Sequence, residues 1–503
     1  MPKTVWRQNR VNKIKSVYFR EGQHYSFFNL KESFGLDAEN TCARINILKR
    51  YSVLKTVRCD KPEYSDLSNQ DVVIGDVPDD SSEFAYQFTF VGVILLDDLV
   101  VKCYPKYINV DNACGFLSEF KIALKAIERY NQKEQLVYLY SGEAECKVFN
   151  RLAIALHILH EYFDNGLYSN QVEVLEKNGN GEILWDKTIN ETFAIIKKNT
   201  PYYLDYFTID QTDNDQDYIR RLHSAIVSEC SRMLKDCEAI DLFDLQEAEL
   251  SEQNIEDFGD ADYIKSRLER EIKNQFITRK QNLLKTLYTY ISETKSNDSQ
   301  NSISLYGTNC MNLVWEKACG QIFGNIHDQV ESKIKKPQWY LNGGNYETCS
   351  LIPDIITKCE ISERDVFCIL DCKYYLLKTE GDISGNPGVQ DVVKQFAYHE
   401  SFHDYLCSQH SESVFNAFLF PLSDEGIWPE KDILIRGFVT MLKWGVEQLV
   451  PIYLVFLKPS FVWTSYLNGS IQKQSLIDSM KRIRLEDVFR NVLKYSDTLQ
   501  YMD

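Results

Sequence analysis

The fold is decided by the stretch FCILDCKYY, residues 367–375, in which an Asp-Cys-Lys motif follows a run of apolar residues. A second apolar stretch, LIPDII at 351–356, places Asp354 17 residues before Asp371. Runs of β-branched and aromatic residues are typical of strands, in which side chains two positions apart point to the same face. We therefore predict two strands, and we expect Asp371 and Lys373 to project together from the second.

Two acidic side chains at one sheet edge predict a metal site. If the strand of Asp354 pairs beside that of Asp371, the two carboxylates meet, and with the main-chain carbonyl of Cys372 they form an oxygen site suited to Mg²⁺ or Mn²⁺. Lys373 would then lie beside a metal-bound water and orient it or help to remove its proton. This is the chemistry of phosphodiester hydrolysis. The alternative is a structural role, with two carboxylates at strand ends and one of them paired with Lys373.

Two predicted helices flank these strands and carry further polar candidates. Glu316 lies in LVWEKACGQIFG (313–324), before the strands, and could join the metal site through a metal-bound water. Gln395 lies in VVKQFAYHESF (392–402), after them, and could contact the substrate or a metal-bound water. The order of helix, short strands, helix and further strands predicts a mixed sheet flanked by helices.

The polar segment SETKSNDSQNSIS, residues 292–304, is the clearest linker in the chain. It separates the mixed-sheet region from an N-terminal part that is β-rich at first and helical later. The sequence thus predicts a multidomain protein of the α+β or α/β class. The predicted domains are an N-terminal adaptor at 1–135, a mainly helical domain with an acidic segment at 136–299, and the domain of the Asp-Cys-Lys motif at 300–503.

Shorter patterns predict elements within the first two domains. A helix at 41–50 followed by a strand at 52–58 fits a small winged-helix unit that reads DNA, and it fits a structural adaptor equally well. Residues 84–96 and 99–108 predict a β-hairpin. Residues 171–188 predict another hairpin, which turns at a Gly/Asn-rich segment.

Composition excludes several classes of protein. The chain has 503 residues, 44% of them hydrophobic, with a net charge of −17, and no apolar run approaches the ~20 residues that cross a bilayer. Its 14 cysteines without a signal peptide indicate reduced thiols and a cytoplasmic protein. Residues 1–20 carry six Lys/Arg and no acid, whereas 236–262 carry eleven Asp/Glu and no base. The first segment could contact DNA or be a solvated tail, and the second could dock on a basic partner or be a solvated surface.

Taken in order, these motifs resemble the PD-(D/E)XK nuclease core. More narrowly, IPDII, FCILDCKYY and GNPGVQDVVKQFAYH (385–399) resemble the LlaJI restriction endonuclease family, relatives of McrC. FVGVILL (90–96), VKCYPKYI (101–108) and EILWDKTI (182–189) are also similar to segments of those proteins. The similarity touches positions from about 84 to 457 and is densest over 309–420.

The resemblance implies a restriction-endonuclease-like C-terminal domain that cuts double-stranded DNA. It also implies the site residues, namely the metal ligands Asp354 and Asp371, the catalytic Lys373 and the accessory acid Glu316. The family's glutamine and tyrosine are usually four residues apart, whereas Gln395 and Tyr398 here are three apart. McrC-type relatives work with a separate McrB-like AAA+ GTPase, and this sequence has no G-x-x-x-x-G-K-[ST] loop of its own.

The combined interpretation is a Mg²⁺-dependent DNA endonuclease subunit of a restriction system that defends against foreign DNA. Self-association of the chain would provide the two nuclease centres that a double-strand cut needs. Two alternatives remain open. HESFH at 399–403 matches the zinc-peptidase motif H-E-x-x-H, with His399 and His403 as ligands and Glu400 as base, although it leaves the Asp-Cys-Lys motif unexplained. The chain could also be a non-catalytic assembly factor with a nuclease-like fold.

Overall fold

The computed structural model describes most of the chain between residues 15 and 481. The described residues are 15–58, 84–96, 99–109, 113–141, 151–169, 171–213, 217–294, 303–330, 336, 338–341, 344–347, 352–361, 364–377, 385–402, 405, 413–422, 431–441 and 451–481. They divide into two compact units, one from 148–305 and the other from 15–147 together with 306–503. The predicted three-domain division stays a prediction. No helix in these ranges is both long and apolar enough to cross a membrane.

The N-terminal region combines two small sheets with three helices. Its elements are β1 (Lys15–Arg20), β2 (His24–Tyr25), α1 (Phe27–Phe34), α2 (Ala38–Arg50), β3 (Leu54–Arg58), β4 (Phe84–Phe88), β5 (Val91–Leu96), β6 (Leu99–Tyr104) and α3 (Ala113–Ser141). The strand orders are β2-β4-β3 and β1-β6-β5, and a strand from the C-terminal region extends the second sheet. The antiparallel pairing of β5 with β6 agrees with the predicted hairpin, and the predicted helix and strand near residue 50 are α2 and β3. β5 and β6 are buried at nearly every position, as apolar runs covered on both faces should be.

The middle unit is mainly helical and carries small sheets. Its elements are α4 (Arg151–Asn165), β7 (Gln171–Lys177), β8 (Glu182–Ile183), α5 (Trp185–Glu191), β9 (Ala194–Lys197), β10 (Thr200–Tyr203), β11 (Phe207–Asp213), α6 (Tyr218–Asp236), α7 (Ala261–Asn274) and α8 (Thr278–Thr294), with short 3₁₀ turns at Asp241–Phe243 and Ile255–Phe258.

The predicted hairpin over 171–188 is wrong. β7 and β8 do not pair with each other, because β11 lies between them and pairs antiparallel with both. The segment after β8 is the helix α5 instead of a strand. The periodicity of so short a segment suits either element, and the longer strand β11, remote in sequence, decided the pairing.

The C-terminal region is built on a five-stranded mixed sheet. Its elements are β12 (Ile303–Thr308), α9 (Met311–Ile322), α10 (His327–Val330), β13 (Gln338–Leu341), β14 (Gly344–Glu347), β15 (Ile355–Ile361), β16 (Arg364–Cys372), α11 (Val389–Ser401), β17 (Ser413–Pro421), β18 (Ile433–Val439), β19 (Ile452–Leu457), α12 (Pro459–Asn468) and α13 (Lys473–Met480). The order is β15-β16-β17-β19-β18, with β16, β17 and β19 parallel and both edge strands antiparallel. The predicted mixed sheet flanked by helices is therefore confirmed.

Helices α9 and α11 cover opposite faces of β16. On one face, Phe367 and Ile369 pack into a buried apolar cluster with Tyr398 of α11. On the other face, the thiol of Cys372 meets that of Cys319 in α9. The alternation of side chains along a strand requires this division, because odd and even positions of β16 point to different faces.

Two strand boundaries differ from the sequence prediction. β15 begins at Ile355, so Asp354 lies in the bend just before the strand rather than within it. Pro353 has no backbone N–H to donate to a ladder, which delays the start of the strand. β16 ends at Cys372, so Lys373 is the first residue beyond it. α13 ends at Met480, and residues after 481 lie outside the described ranges.

Candidate active site

The pairing of β15 with β16 brings Asp354 and Asp371 together. The antiparallel ladder ends at Ile355 opposite Leu370, so Asp354, just before Ile355, and Asp371, just after Leu370, lie at the same end of the strand pair. The backbone N–H of Cys372 donates a 2.7 Å hydrogen bond to Oδ2 of Asp354. This bond holds the Asp354 carboxylate at the end of β16, although Asp354 itself precedes β15.

The loop after α9 fixes the backbone around Asp354. The Asn325 side chain donates through Nδ2 to the Asp354 carbonyl at 2.9 Å and accepts through Oδ1 from the N–H of Ile356 at 3.0 Å. One amide thus bridges the two sides of the bend. The position of Asp354 is therefore set by the hydrogen bonds of Asn325 and Cys372, and not by strand pairing alone.

Lys373 lies between two carboxylates. Its Nζ is 2.6 Å from Oδ2 of Asp371 and 2.8 Å from Oδ1 of Asp391, and its side chain is only 12% exposed. Burial lowers the pKa of Lys373, but the carboxylates of Asp371 and Asp391 outweigh burial and raise the pKa above its usual value. Lys373 is therefore a positively charged ammonium at neutral pH, and it donates hydrogen bonds.

Two acids of the site, Asp354 and Glu316, have a raised pKa. Burial, followed by the charges of Asp371 and Glu316, raises the pKa of Asp354 from 3.8 to about 7. Burial and the charge of Asp371 likewise raise the pKa of Glu316. Glu316, on α9, is close enough to both aspartates for their charges to interact, and its predicted part in a metal site stays a prediction. Asp371 and Asp391 contact the Lys373 ammonium directly, and the charges of Lys317 and Lys394 also act on Glu316.

Gln395 lies beside this cluster, deep under α11. It is fully buried, and its Nε2 donates to the Ile369 carbonyl at 3.2 Å and to Oδ1 of Asn416 at 2.7 Å. Its Oε1 has no hydrogen-bond partner among the described residues. The observed bonds tie Gln395 to β16 and β17. Its predicted contact with substrate or metal-bound water stays a prediction.

The side chain of Cys372 points away from the acids, as strand alternation predicts. Burial raises the pKa of its thiol well above the usual value, and the neighbouring Cys319 thiol adds to the rise. A neutral, buried thiol on the far face is no metal ligand. Only the main-chain carbonyl of Cys372 remains as the predicted donor.

The donor set fits a hard divalent cation. In the described part of the chain, no group of three His, Cys, Asp or Glu side chains is placed to hold a metal ion. Mg²⁺ is commonly bound through one or two protein carboxylates, with waters and substrate phosphate filling the remaining positions. Asp354, Asp371 and the Cys372 carbonyl offer oxygen donors of this kind.

The HESFH motif falls at the end of α11. Nδ1 of His399 is 3.3 Å from Oε1 of Glu400, the adjacent residue in the motif. His403 lies outside the described residues. Zinc binding by His399 and His403 therefore stays a prediction.

Asp391 is a site residue that the sequence interpretation missed. It is the third residue of α11, where its Oδ2 accepts from the N–H of Gly388 at 3.3 Å while Oδ1 accepts from Lys373. The sequence GVQD does signal an acid in the first turn of a helix. Nothing in that signal shows that the ammonium of Lys373, 18 residues earlier, reaches the same carboxylate.

β15 directly follows Asp354, and β16 carries Asp371 and ends one residue before Lys373. On a mixed sheet between helices, this is the core expected of a PD-(D/E)XK restriction endonuclease. The family model described as LlaJI restriction endonuclease matches residues 90–433. The chain belongs to this family.

Comparison with known proteins gives one similar curated relative and similar solved structures. The relative is the Bacillus subtilis (strain 168) protein described as type II restriction enzyme BsuMI component YdjA, which is 30% identical over 411 residues, 78% of this chain and 87% of YdjA. A Thermococcus gammatolerans structure of McrB AAA+ hexamers with bound McrC is 12% identical with a TM-score of 0.37, covering 90% of this chain and 99% of that chain. A cryo-EM structure of the McrBC complex from the same organism is 14% identical with a TM-score of 0.24, covering 60% and 85%. Both TM-scores are too low for either structure to support an inference about this chain.

Proposed function

We propose that this chain is the Mg²⁺-dependent DNA endonuclease subunit of a restriction system. The observation that carries the proposal is the meeting of Asp354, Asp371 and Lys373 at the ends of two paired strands. Separate parts of the sequence supply these groups, and the β15–β16 register with the bend at Asp354 brings them to one place. Family membership supports the same activity.

In this mechanism Asp354 and Asp371, with the Cys372 carbonyl, would hold the cation. Mg²⁺ held there would supply neutralisation of charge on the scissile phosphate and a more acidic attacking water. Mn²⁺ suits the same oxygen donors. The charges of Glu316 and both aspartates interact, and the Glu316 carboxylate would accept a hydrogen bond from a water of the site.

Lys373 acts as a fixed positive charge. The carboxylates of Asp371 and Asp391 raise its pKa, so it keeps its proton at neutral pH. Of the two roles that the sequence allows, this favours orienting the water and the phosphate over removing a proton. Asp391 keeps the ammonium beside Asp371 by accepting the second hydrogen bond.

The test is cleavage of double-stranded DNA by the purified chain, alone and with its genomic partner subunits, with Mg²⁺, with Mn²⁺ or with a chelator. We expect metal-dependent cleavage that Asp371→Asn reduces by at least about 100-fold, while DNA binding is retained. Asp365→Asn is the matched control, because it removes a carboxylate that is about half exposed from the same strand and lies far from the metal ligands in register. Full cleavage by the Asp371 variant would refute the proposal. Partner binding that survives without any cleavage would favour the assembly factor.

We further propose that the chain works with a separate McrB-like AAA+ GTPase in the cytoplasm. The description of YdjA as a component supports a multi-subunit enzyme. The proposed self-association would supply a second nuclease centre for a double-strand cut. Size measurement of the DNA-bound complex tests it, since cleavage of both strands by a particle with a single copy of the chain would contradict it.

A further inference from the structure

The residue after Lys373 makes a buried contact with the other end of the chain. Tyr374 is 4% exposed, and its hydroxyl donates a 2.8 Å hydrogen bond to Oε2 of Glu21, 353 residues away in sequence. Glu21 follows the last residue of β1. Both residues belong to the same compact unit. The N-terminal sheet is thus joined directly to the segment that carries the proposed catalytic lysine.

The Glu21 carboxylate is itself held in place. Its Oε2 also accepts from the backbone N–H of Lys106 at 3.2 Å, and its own N–H donates to the Tyr104 carbonyl at 2.9 Å. The neighbouring Arg20 donates through Nε to the Lys106 carbonyl at 2.7 Å. These bonds connect the ends of the parallel pair β1 and β6, so the carboxylate is a fixed acceptor.

The ring of Tyr374 is held as firmly as its hydroxyl. The Lys106 ammonium lies 4.3 Å from the ring centroid, within cation–π range. The rings of Tyr107 and Trp315 lie 6.2 Å and 6.5 Å from it. Trp463 completes the cluster by donating a 2.8 Å hydrogen bond from Nε1 to the Tyr107 hydroxyl.

Two residues of this cluster are sequence neighbours of site residues, because Tyr374 follows Lys373 and Trp315 precedes Glu316. Lys373 lies one residue past the end of β16, so β15 gives it no ladder partner, and its N–H donates to the Leu419 carbonyl. Trp315 immediately precedes Glu316 on α9. A displacement of about 1 Å at a catalytic group can cost about 100-fold in rate. The contacts that fix Tyr374 therefore also keep Lys373 aligned with Asp371 and Asp391.

We propose that Glu21, Lys106 and Tyr374 are positioning residues for the nuclease centre, and that the N-terminal sheet is a working part of that centre. The inference rests on the proposed function for its kinetic consequence. The geometric consequence, the placement of Lys373, stands without it. A chain that lacks the Glu21 acceptor keeps every proposed metal ligand yet loses alignment of the ammonium.

The experiment compares three variants of the full chain. Tyr374→Phe removes only the hydroxyl, Glu21→Ala removes the acceptor, and Glu21→Gln keeps an oxygen that can accept the same bond. Tyr340→Phe is the control, because it deletes a tyrosine hydrogen bond in an exposed hairpin of the same unit. We expect Tyr374→Phe and Glu21→Ala to lower kcat for DNA cleavage about tenfold with KM unchanged, and Glu21→Gln to stay within about threefold of the unaltered chain.

A second measurement does not depend on activity. Amine acylation of Lys373, quantified by mass spectrometry, is compared with acylation of Lys358, which lies on β15 with a 43% exposed side chain. We expect the Lys373 to Lys358 ratio to rise about threefold or more in Tyr374→Phe and Glu21→Ala, and to stay unchanged in Tyr340→Phe.

Unchanged kcat in a Tyr374→Phe chain that cuts DNA would overturn the proposal, and so would an unchanged acylation ratio. If no form of the chain cuts DNA, the proposed function fails, and the acylation ratio still decides whether the Glu21–Tyr374 bond places Lys373. A higher KM with constant kcat in Tyr374→Phe or Glu21→Ala would also contradict the positioning role, since that outcome is expected of a residue that binds DNA.

Discussion

The charge balance of the site predicts that Asp354→Asn stabilises the protein while it abolishes cleavage. The folded structure disfavours the charged form of Asp354, because burial and the neighbouring Asp371 and Glu316 raise its pKa from 3.8 to about 7. Asparagine has nearly the same shape, and its oxygen can still accept from the N–H of Cys372. The substitution therefore removes the unfavourable charge and keeps the hydrogen bond.

The magnitude follows from linkage. One pKa unit corresponds to about 1.4 kcal/mol, so a rise from 3.8 to about 7 is at most about 4 kcal/mol. Asp354 shares its charge interactions with Asp371 and is not wholly removed from water, so we expect a gain of about 1–3 kcal/mol. The size of the gain depends on pH: the folded chain binds the proton more tightly, so stability of the unaltered protein falls as pH rises from about 4 to about 7. The gain is thus full above about pH 7 and fades towards pH 4.

Urea unfolding with a chelator present measures the effect at about pH 8 and about pH 5. Asp365→Asn is again the control, because its carboxylate is 48% exposed and paired with Lys358, and its removal should shift the free energy by less than about 0.5 kcal/mol. A destabilised Asp354→Asn at the higher pH, or a gain that does not change with pH, would refute the reasoning about the site.

Further predictions concern Lys373, its second acceptor Asp391, and the histidines His223 and His399. Lys373→Met should reduce cleavage at least about 100-fold and cost about 1–3 kcal/mol of stability, measured by DNA cleavage and urea unfolding, because it leaves buried carboxylates without their counter-charge. Asp391→Asn should lower kcat about tenfold with KM unchanged, since Lys373 loses one of its two acceptors. His223, whose Nδ1 accepts from the backbone N–H of Tyr168, has its pKa lowered from 6.5 to about 4 by burial, so stability should fall by about 3 kcal/mol as pH drops through that window, and a His223→Gln chain should lose less in the same urea titration. His399→Ala should leave Mg²⁺-dependent cleavage within about twofold, and loss of a stoichiometric zinc in that variant would instead revive the peptidase interpretation.

The local patterns of the C-terminal region were readable from the sequence because they depend on short-range physics. Side-chain alternation placed Asp371 and Lys373 on one face, and apolar periodicity located the helices of Glu316 and Gln395. The order of these elements was enough to predict a mixed sheet, which β15–β19 confirm. The strand boundaries were less certain, since one proline shifted the start of β15 past Asp354.

Pairing between remote segments was not readable in this way. The hairpin predicted over 171–188 failed because β11, which lies further along the chain, was the better partner for both strands. The second carboxylate on Lys373 comes from Asp391, and its sequence position signals only a helix start. Such contacts depend on how whole elements pack, and spacing along the chain does not encode them.

The amino-acid sequence specifies which groups are available for chemistry: two acids and a lysine in apolar stretches, with the alternation that turns Cys372 away from them. How those groups are arranged and charged depends on the packing of the folded chain. Antiparallel register set Asp354 against Asp371, burial raised the proton affinity of both Asp354 and Glu316, and packing placed Asp391 on Lys373 and Glu21 on Tyr374. The reason is that desolvation and close charge–charge interactions arise only when distant segments exclude water together.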